Sequence, residues 1–375
     1  MKEIKNVLIC GLGAIGSIYA IKIQEHNPDC IKVLLDETRL DRYKKDGIIF
    51  NEKRYDFDYV LDSCQDFKAD LILIATKSTD FEQAAEMIRN FVGEKTIIMS
   101  LLNGISSEEI LIEKYGCEKV VYSYFLGSAS MKRGNKISFD GNADIFFGDV
   151  WGESEEVNGK TMIDSYRRST MTPSPQSSPL KGEEDQLLFN INGEMENVKF
   201  KDKEKNVPFT VHSSQFTNIN LSSYQPISLS ANVQSIKEFF DKVGIDYKIP
   251  DDMQSSRWQK FIINIGANQT LAITRTPYGG FKNQYIRNIA QGLMSEATEI
   301  ARFLEIKNCD KFIENAFKLF DGYGAEMKPS MLQDVENKRP TEVDIFAGEV
   351  CRLGKKYNIP TPKNELAFEI LKSFD

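Results

Sequence analysis

Three side chains in one run stand where chemistry could be done. Within Ser256–Leu271, Lys260, Asn264 and Asn268 recur every four residues. That spacing stacks them on one face of a helix. Phe261, Ile262, Ile263, Ile265 and Ala267 make the surrounding surface apolar, which implies burial on most sides. Two readings of the stripe stay open at this point. It is either the solvated edge of an amphipathic helix or a row of polar groups facing a cleft.

A second run suggests what a cleft would hold. Asn6–Cys10 is a short apolar strand, followed at once by Gly11-Leu12-Gly13-Ala14-Ile15-Gly16 and a helix to about Gln24. Glycines at these spacings between strand and helix form the dinucleotide-binding fingerprint. Gly11 permits the tight turn, Gly13 lets backbone approach a pyrophosphate, and Gly16 lets helix pack on strand. The free N–H groups of the helix start would face the phosphates. The alternative is a Gly-rich turn of another α/β protein. Ile31–Leu35 is the next strand and ends at Asp36, twenty residues after Gly16. A carboxylate there would bind the adenosine ribose 2′-OH, which points to NAD. Arg39 and Arg42 follow and could instead pair with a 2′-phosphate, although Arg42 fits the solvated face of a helix.

Further strands are expected at Leu71–Ala75, Thr96–Leu101, Val120–Ser123 and Asp144–Phe147, giving a sheet of about six strands or more. The stretch near Lys136–Phe147 could run antiparallel at its edge. Lys77 and Asn103 follow the C-terminal ends of two of these strands, where open α/β sheets bind ligands. A surface lysine and an Asn-Gly turn explain the same residues without a ligand.

The remainder falls into two parts. Residues 151–230 are rich in Pro, Ser, Asn, Lys and Glu, and read as a flexible low-complexity insertion. After an amphipathic helix at Ala231–Val243, and from Pro250 on, nearly everything is helical. Helices are expected at Tyr285–Leu304, Asp310–Phe320, from Ser330, and over Glu342–Tyr357 and Asn364–Phe374. Thr341 is a plausible N-cap for the fourth of these, with Glu342 in its first turn. The fold expected is an α/β N-terminal Rossmann-type dinucleotide-binding domain (1–150 with 231–250) plus an all-α C-terminal domain (251–375).

Carbonyl reduction in such a protein needs a proton donor. The chain has two histidines. His26 ends the first helix and His212 lies in the insertion, so neither is convincing. Tyr115 and Lys119 have a Tyr-x-x-x-Lys spacing that the rest of the pattern makes a chance match. Lys260 is the best remaining donor, because burial would lower its pKa toward a useful range.

Bulk properties narrow the partners. The 375 residues are 41% hydrophobic and 27% charged, with a formal net charge of −8. That balance argues against broad nucleic-acid binding and against docking on an anionic membrane. No apolar run is long enough to cross a bilayer, and no signal segment opens the chain, so a cytoplasmic protein is expected. Six scattered cysteines without a Cys-x-x-Cys pair suggest reduced thiols and no metal centre.

Taken together, these motifs resemble the ketopantoate reductase (2-dehydropantoate 2-reductase) family. The resemblance is carried by Gly11–Gly16, Lys77, Asn103-Gly104, Trp258-Gln-Lys260 with Asn264 and Asn268, Ser330-Met-Leu-Gln-Asp334, and Thr341-Glu342-Val-Asp344. It covers about residues 1–150 and 231–375. It implies an NAD(P)-dependent oxidoreductase that reduces 2-dehydropantoate to pantoate, with Lys260 as general acid. By the same resemblance Asn264, Asn268 and Ser330 hold the substrate. Asn103 touches substrate and cofactor, and Lys77 and Glu342 contact the cofactor. Two departures are visible. Asp36 stands where the family often has a basic residue, so NADP(H) is implied while NAD(H) remains open. A further substrate-binding Asn of some members falls at Tyr278. Another branched 2-oxo acid, or a non-catalytic dinucleotide sensor, are the alternatives. The sequence does not give the oligomeric state.

Overall fold

The computed structural model describes residues 3–127, 131–139, 143–149 and 229–375. The expectations placed on residues 151–228, His212 included, lie outside the described residues.

β1 (Val7–Cys10) is buried along its whole length, because Val-Leu-Ile-Cys presents apolar side chains to both faces. It pairs in parallel with β2 (Ile31–Leu34) on one side and with β6 (Ala69–Ile74) on the other. The sheet continues through β7 (Val92–Ser100) and β8 (Val120–Gly127), both parallel. Beyond them β11 (Ala143–Gly148) runs antiparallel to β8, and β12 (Tyr247–Lys248) pairs in parallel with β11. With β5 (Tyr59–Val60) on the far edge, the order is β12-β11-β8-β7-β6-β1-β2-β5. The chain therefore crosses over next to β1, between β2 and β6, and ligands bind at such a switch point.

The expected strands are all present. The stretch near Lys136–Phe147 needs correction: β11 runs antiparallel, but β12 pairs beyond it and takes the edge, and Lys136–Ser138 joins another sheet. What the sequence reading lacked are the short strands after β2. β3 (Ile48–Phe50), β4 (Lys53–Tyr55), β9 (Met131–Arg133) and β10 (Lys136–Ser138) form a separate sheet in the order β4-β3-β10-β9. Strands of three residues carry too little periodicity to be recognised.

The helix Ala231–Val243 packs Val233, Ile236 and Phe240 into the sheet's core, with Ser230 as its N-cap. The C-terminal helices bury a core of their own around Phe261, Ile265, Met294, Phe312 and Phe346. Gln284–Phe303 is its longest helix, with Pro362–Lys372 last.

Two expectations in this part need correction. The Ser256–Leu271 helix is not one regular helix. It begins at Met253, capped by Asp252, runs to Asn264, forms a π turn over Ile265–Gln269, and resumes as Thr270–Thr274. Thr341 is not an N-cap. The chain makes a 3-10 turn at Val343–Ile345, and the α-helix starts only at Ala347. The Thr341 hydroxyl is buried and has no partner among the described residues.

Candidate functional site

The turn after β1 is shaped by close approach. Gly11 has φ +104°, and a Cβ there would lie 2.7 Å from the Ala75 carbonyl at the end of β6. At Gly16 a Cβ would fall 1.9 Å from the Gly11 oxygen. Helix Ala14–His26 starts at Gly13 without a side-chain cap or an acid in its first turn, so its leading N–H groups remain for an anion. A pocket opens beside this turn, bounded by Gly11, Leu12, Leu35, Asp36, Thr76 and Asp80. The Thr76 hydroxyl is buried there without a partner among the described residues. An uncapped helix start, an orphaned hydroxyl and a carboxylate beside an apolar recess together fit a dinucleotide.

Asp36 caps the helix Glu37–Asp46, accepting from the Arg39 backbone N–H at 2.9 Å. Its other oxygen lies 3.1 Å from Arg39 Nε. Arg42 is exposed, with its guanidinium 5.3 Å from the Tyr43 ring centroid.

Lys260 lies on the Met253–Asn264 helix and is half-buried. Its Nζ donates to the Phe125 carbonyl at 2.6 Å and sits 4.8 Å from the Tyr124 ring centroid. Tyr124 is itself fixed, stacked on Phe146 and hydrogen-bonded to Ser256 at 2.7 Å. Burial pushes the Lys260 ammonium down to about 7, against the raising effect of the Glu342 and Glu108 carboxylates. Lys260 is thus an ammonium that releases its proton near neutral pH.

The asparagines form a directed chain. Asn268 is buried, and its Oδ1 accepts from the Met331 backbone N–H at 3.2 Å and from the Ser330 hydroxyl at 3.3 Å. A backbone N–H can only donate, so the amide orientation of Asn268 is fixed. Its Nδ2 then donates to Asn264 Oδ1 at 3.3 Å. The Asn264 Nδ2 is left as a donor with no partner among the described residues.

Asn103, just after β7, donates to Glu342 at 3.3 Å. The neighbouring Gly104 has φ +90°, and a Cβ there would press on Ile345. Lys77 lies 3.8 Å from Asp334, which Arg339 also holds at 2.7 Å. The structure therefore groups Lys260 with its acids, Asn264 with Asn268 and Ser330, Asn103 with Glu342, and Asp36 with the glycine turn. Tyr278 belongs to an aromatic cluster with Phe281, Phe320 and Tyr323. Tyr115 and Lys119 are each engaged locally, with the Ala85 carbonyl and with Glu118.

Sequence reasoning missed Arg257. Three residues before Lys260, it is a second cation on the helix, and unlike the half-buried Lys260 it is fully buried. Arg257 bonds Glu108 at 2.7 Å and the Ile105 carbonyl at 3.0 Å, and it covers the Tyr122 ring at 4.1 Å. The signal was a charged residue beside Trp258 on the helix that carries Lys260. Its partner could not be read, because Glu108 is 149 residues away. Among the described residues no group of His, Cys, Asp and Glu could hold a metal, and no helix is long and apolar enough to cross a membrane.

Comparison with known proteins bears on this arrangement. The chain is 22% identical over 378 residues to the 2-dehydropantoate 2-reductase of Aquifex aeolicus, covering 99% of this chain and 97% of that one. It is 27% identical over 161 residues to the corresponding protein of Pyrococcus horikoshii, where the match takes in 41% of this chain and 52% of that one, about half its length. Among solved structures, a 2-dehydropantoate 2-reductase from Geobacter metallireducens GS-15 has a TM-score of 0.69 at 18% identity, covering 99% of this chain and 100% of that one. D-mandelate dehydrogenase in ternary complex with NADH and anilino(oxo)acetate has a TM-score of 0.68 at 18% identity, over 98% and 97%. At such identities these structures speak to the fold. Family models settle the relationship, one for ketopantoate reductase PanE/ApbA matching residues 7–152 and one for the C-terminal part of the same family matching 252–375. Because the two matches take in both the glycine turn and the lysine helix, this chain belongs to the ketopantoate reductase PanE/ApbA family.

Proposed function

We propose that the protein reduces 2-dehydropantoate to pantoate with NAD(P)H, and that Lys260 is the general acid. The observation that carries this reading is the half-buried Lys260 ammonium, brought down to about 7 and anchored on the Phe125 carbonyl. One of its three N–H bonds is committed to that carbonyl, and the others are available to a substrate oxygen. A donor whose pKa lies near the working pH both holds its proton and releases it.

NAD(P)H, when bound at the glycine turn, supplies the hydride. The chain's own residues do the rest. Lys260 hydrogen-bonds the substrate's carbonyl oxygen and passes it a proton as negative charge develops there. Asn264 Nδ2, held outward by the Met331–Asn268–Asn264 chain, donates to the substrate carboxylate, with Ser330 beside it. Asn103 and Glu342, bonded to each other, border the cofactor side, and Lys77 adds a positive charge nearby.

A second reading is reduction of another 2-oxo acid. It is favoured by Tyr278, an aromatic residue where some members of the family have a substrate-binding asparagine. Turnover of NAD(P)H with 2-dehydropantoate beside other branched and aromatic 2-oxo acids tests both. The highest kcat/KM for 2-dehydropantoate is expected. A higher value for an aromatic acid would shift the assignment to the second reading. Coenzyme binding without turnover of any 2-oxo acid would mean a dinucleotide sensor instead.

A further inference from the structure

We propose that this protein selects NADH over NADPH, and that Asp36 and Asp80 together make the choice. The inference rests on the glycine-turn pocket being the coenzyme site, as in the function proposed above. It runs against the NADP(H) that the family resemblance implies.

Charge and geometry meet at Arg39, the cation that a 2′-phosphate would need. Its Nε lies 3.1 Å from Asp36 Oδ2, and its Nη2 lies 3.3 Å from Asp80 Oδ2. Both carboxylates border the pocket, as does Arg39 itself. One guanidinium between two carboxylates leaves the site with a net negative charge. Arg42, further along this helix, has its guanidinium over the Tyr43 ring.

Asp36 is also fixed in place. Partial burial works against its ionisation, but hydrogen bonds from Thr38 and from the Arg39 backbone N–H hold its carboxyl below the ordinary carboxylate range. It is therefore ionised at neutral pH. A carboxylate has about four lone-pair sites. Its Oδ1 accepts from the Thr38 hydroxyl and the Arg39 N–H, while its Oδ2 meets Arg39 Nε at 3.1 Å beside the pocket and can accept from a further donor. A ribose 2′-OH can be that donor. A 2′-phosphate cannot, since it brings negative charge and only acceptor oxygens to two carboxylates. Arg39 keeps further N–H groups, but its single positive charge is already outweighed by the two carboxylates that a phosphate would join.

Isothermal titration of the full chain with NADH and with NADPH tests this without reference to turnover. The expected result is a Kd for NADPH at least about tenfold above that for NADH, corresponding to one factor of ten in equilibrium constant. Equal affinity or tighter NADPH binding would overturn the proposal and leave the proposed reaction standing. Failure of either coenzyme to bind would overturn both. Two variants locate the cause. Asp36→Ser keeps a good helix N-cap, so folding is maintained. Asp80→Asn leaves the cap untouched and frees one side of Arg39. Each is expected to lower the NADPH-to-NADH ratio of Kd values, and the double variant to lower it by about tenfold or more. A ratio unmoved in the double variant, with an unchanged melting temperature, would show that these carboxylates do not face the ribose.

Discussion

Arg257 and Glu108 meet at 2.7 Å with side chains only 4% and 2% exposed, and this pair ties the lysine helix to the helix Ser107–Tyr115 that follows β7. A buried ion pair is a weak source of net stability, but removing one partner leaves the other charge stranded. Glu108→Leu or Arg257→Met is therefore expected to cost roughly 3–5 kcal/mol in denaturant unfolding. The double variant Glu108→Leu/Arg257→Met should cost clearly less than the sum. Additive losses would mean that the two charges do not act as a pair.

The pH profile follows from Lys260. A general acid must be protonated, so kcat for ketone reduction should fall as pH rises through about 7, and the reverse oxidation should rise over the same range. Glu342→Gln keeps an acceptor for Asn103 but removes a carboxylate that raises the Lys260 pKa. Its alkaline limb should move to lower pH. A limb that stays in place would detach Glu342 from the proton donor.

Lys260→Ala is expected to lower kcat by about 10²–10⁴, the usual contribution of general acid–base catalysis. Near-normal turnover in the folded variant would remove Lys260 from the mechanism.

The same lysine should carry a stability cost. Its folded pKa of about 7 lies below the ordinary 10.5, so between these values the unfolded chain binds the extra proton. Stability from this group therefore rises with pH from 7 to 10.5, and the full cost is present below 7. Lys260→Met should raise Tm at pH 6 and raise it less at pH 10. An equal gain at both would mean that the effect is one of packing.

We also propose that residues 151–228 are not needed for turnover. Ser230 N–H bonds Asp149 at 3.1 Å, so the chain leaves and rejoins the described fold at adjacent points. A short Gly/Ser linker can bridge them, and loop-closure cost changes slowly with length. The shortened protein is expected to keep kcat and KM. A soluble, folded deletion with a large rise in KM would mean that the segment closes over substrate.

What could be read from the sequence was what local spacing encodes. The turn after β1 was legible because Gly11, Gly13 and Gly16 act within six residues, and the strands were legible because both their faces are apolar. Lys260, Asn264 and Asn268 were legible as one face of one helix. Pairings across the chain were not. Asp80 joins Arg39 across 41 residues, and Lys260 finds the Phe125 carbonyl across 135. A backbone acceptor has no sequence signature at all. Thr341 was misread because a local capping pattern was overridden by the 3-10 turn that brings Glu342 to Asn103.

The π turn at Ile265–Gln269 sits between Asn264 and the α-helical Thr270–Thr274, and it contains Asn268. A π turn holds one residue more than an α turn. Deleting Ile265, Gly266 or Ala267 would let regular i→i+4 pairing return, and each residue of an α-helix advances by about 100° around the axis. Asn268 would then swing away from Met331, and the donor at Asn264 would lose its anchor. The facing of this site is thus fixed by a residue count as much as by residue identity. Here the chain can diverge by substitution, while a frame-preserving loss or gain of one codon would blind the site even if every side chain survived.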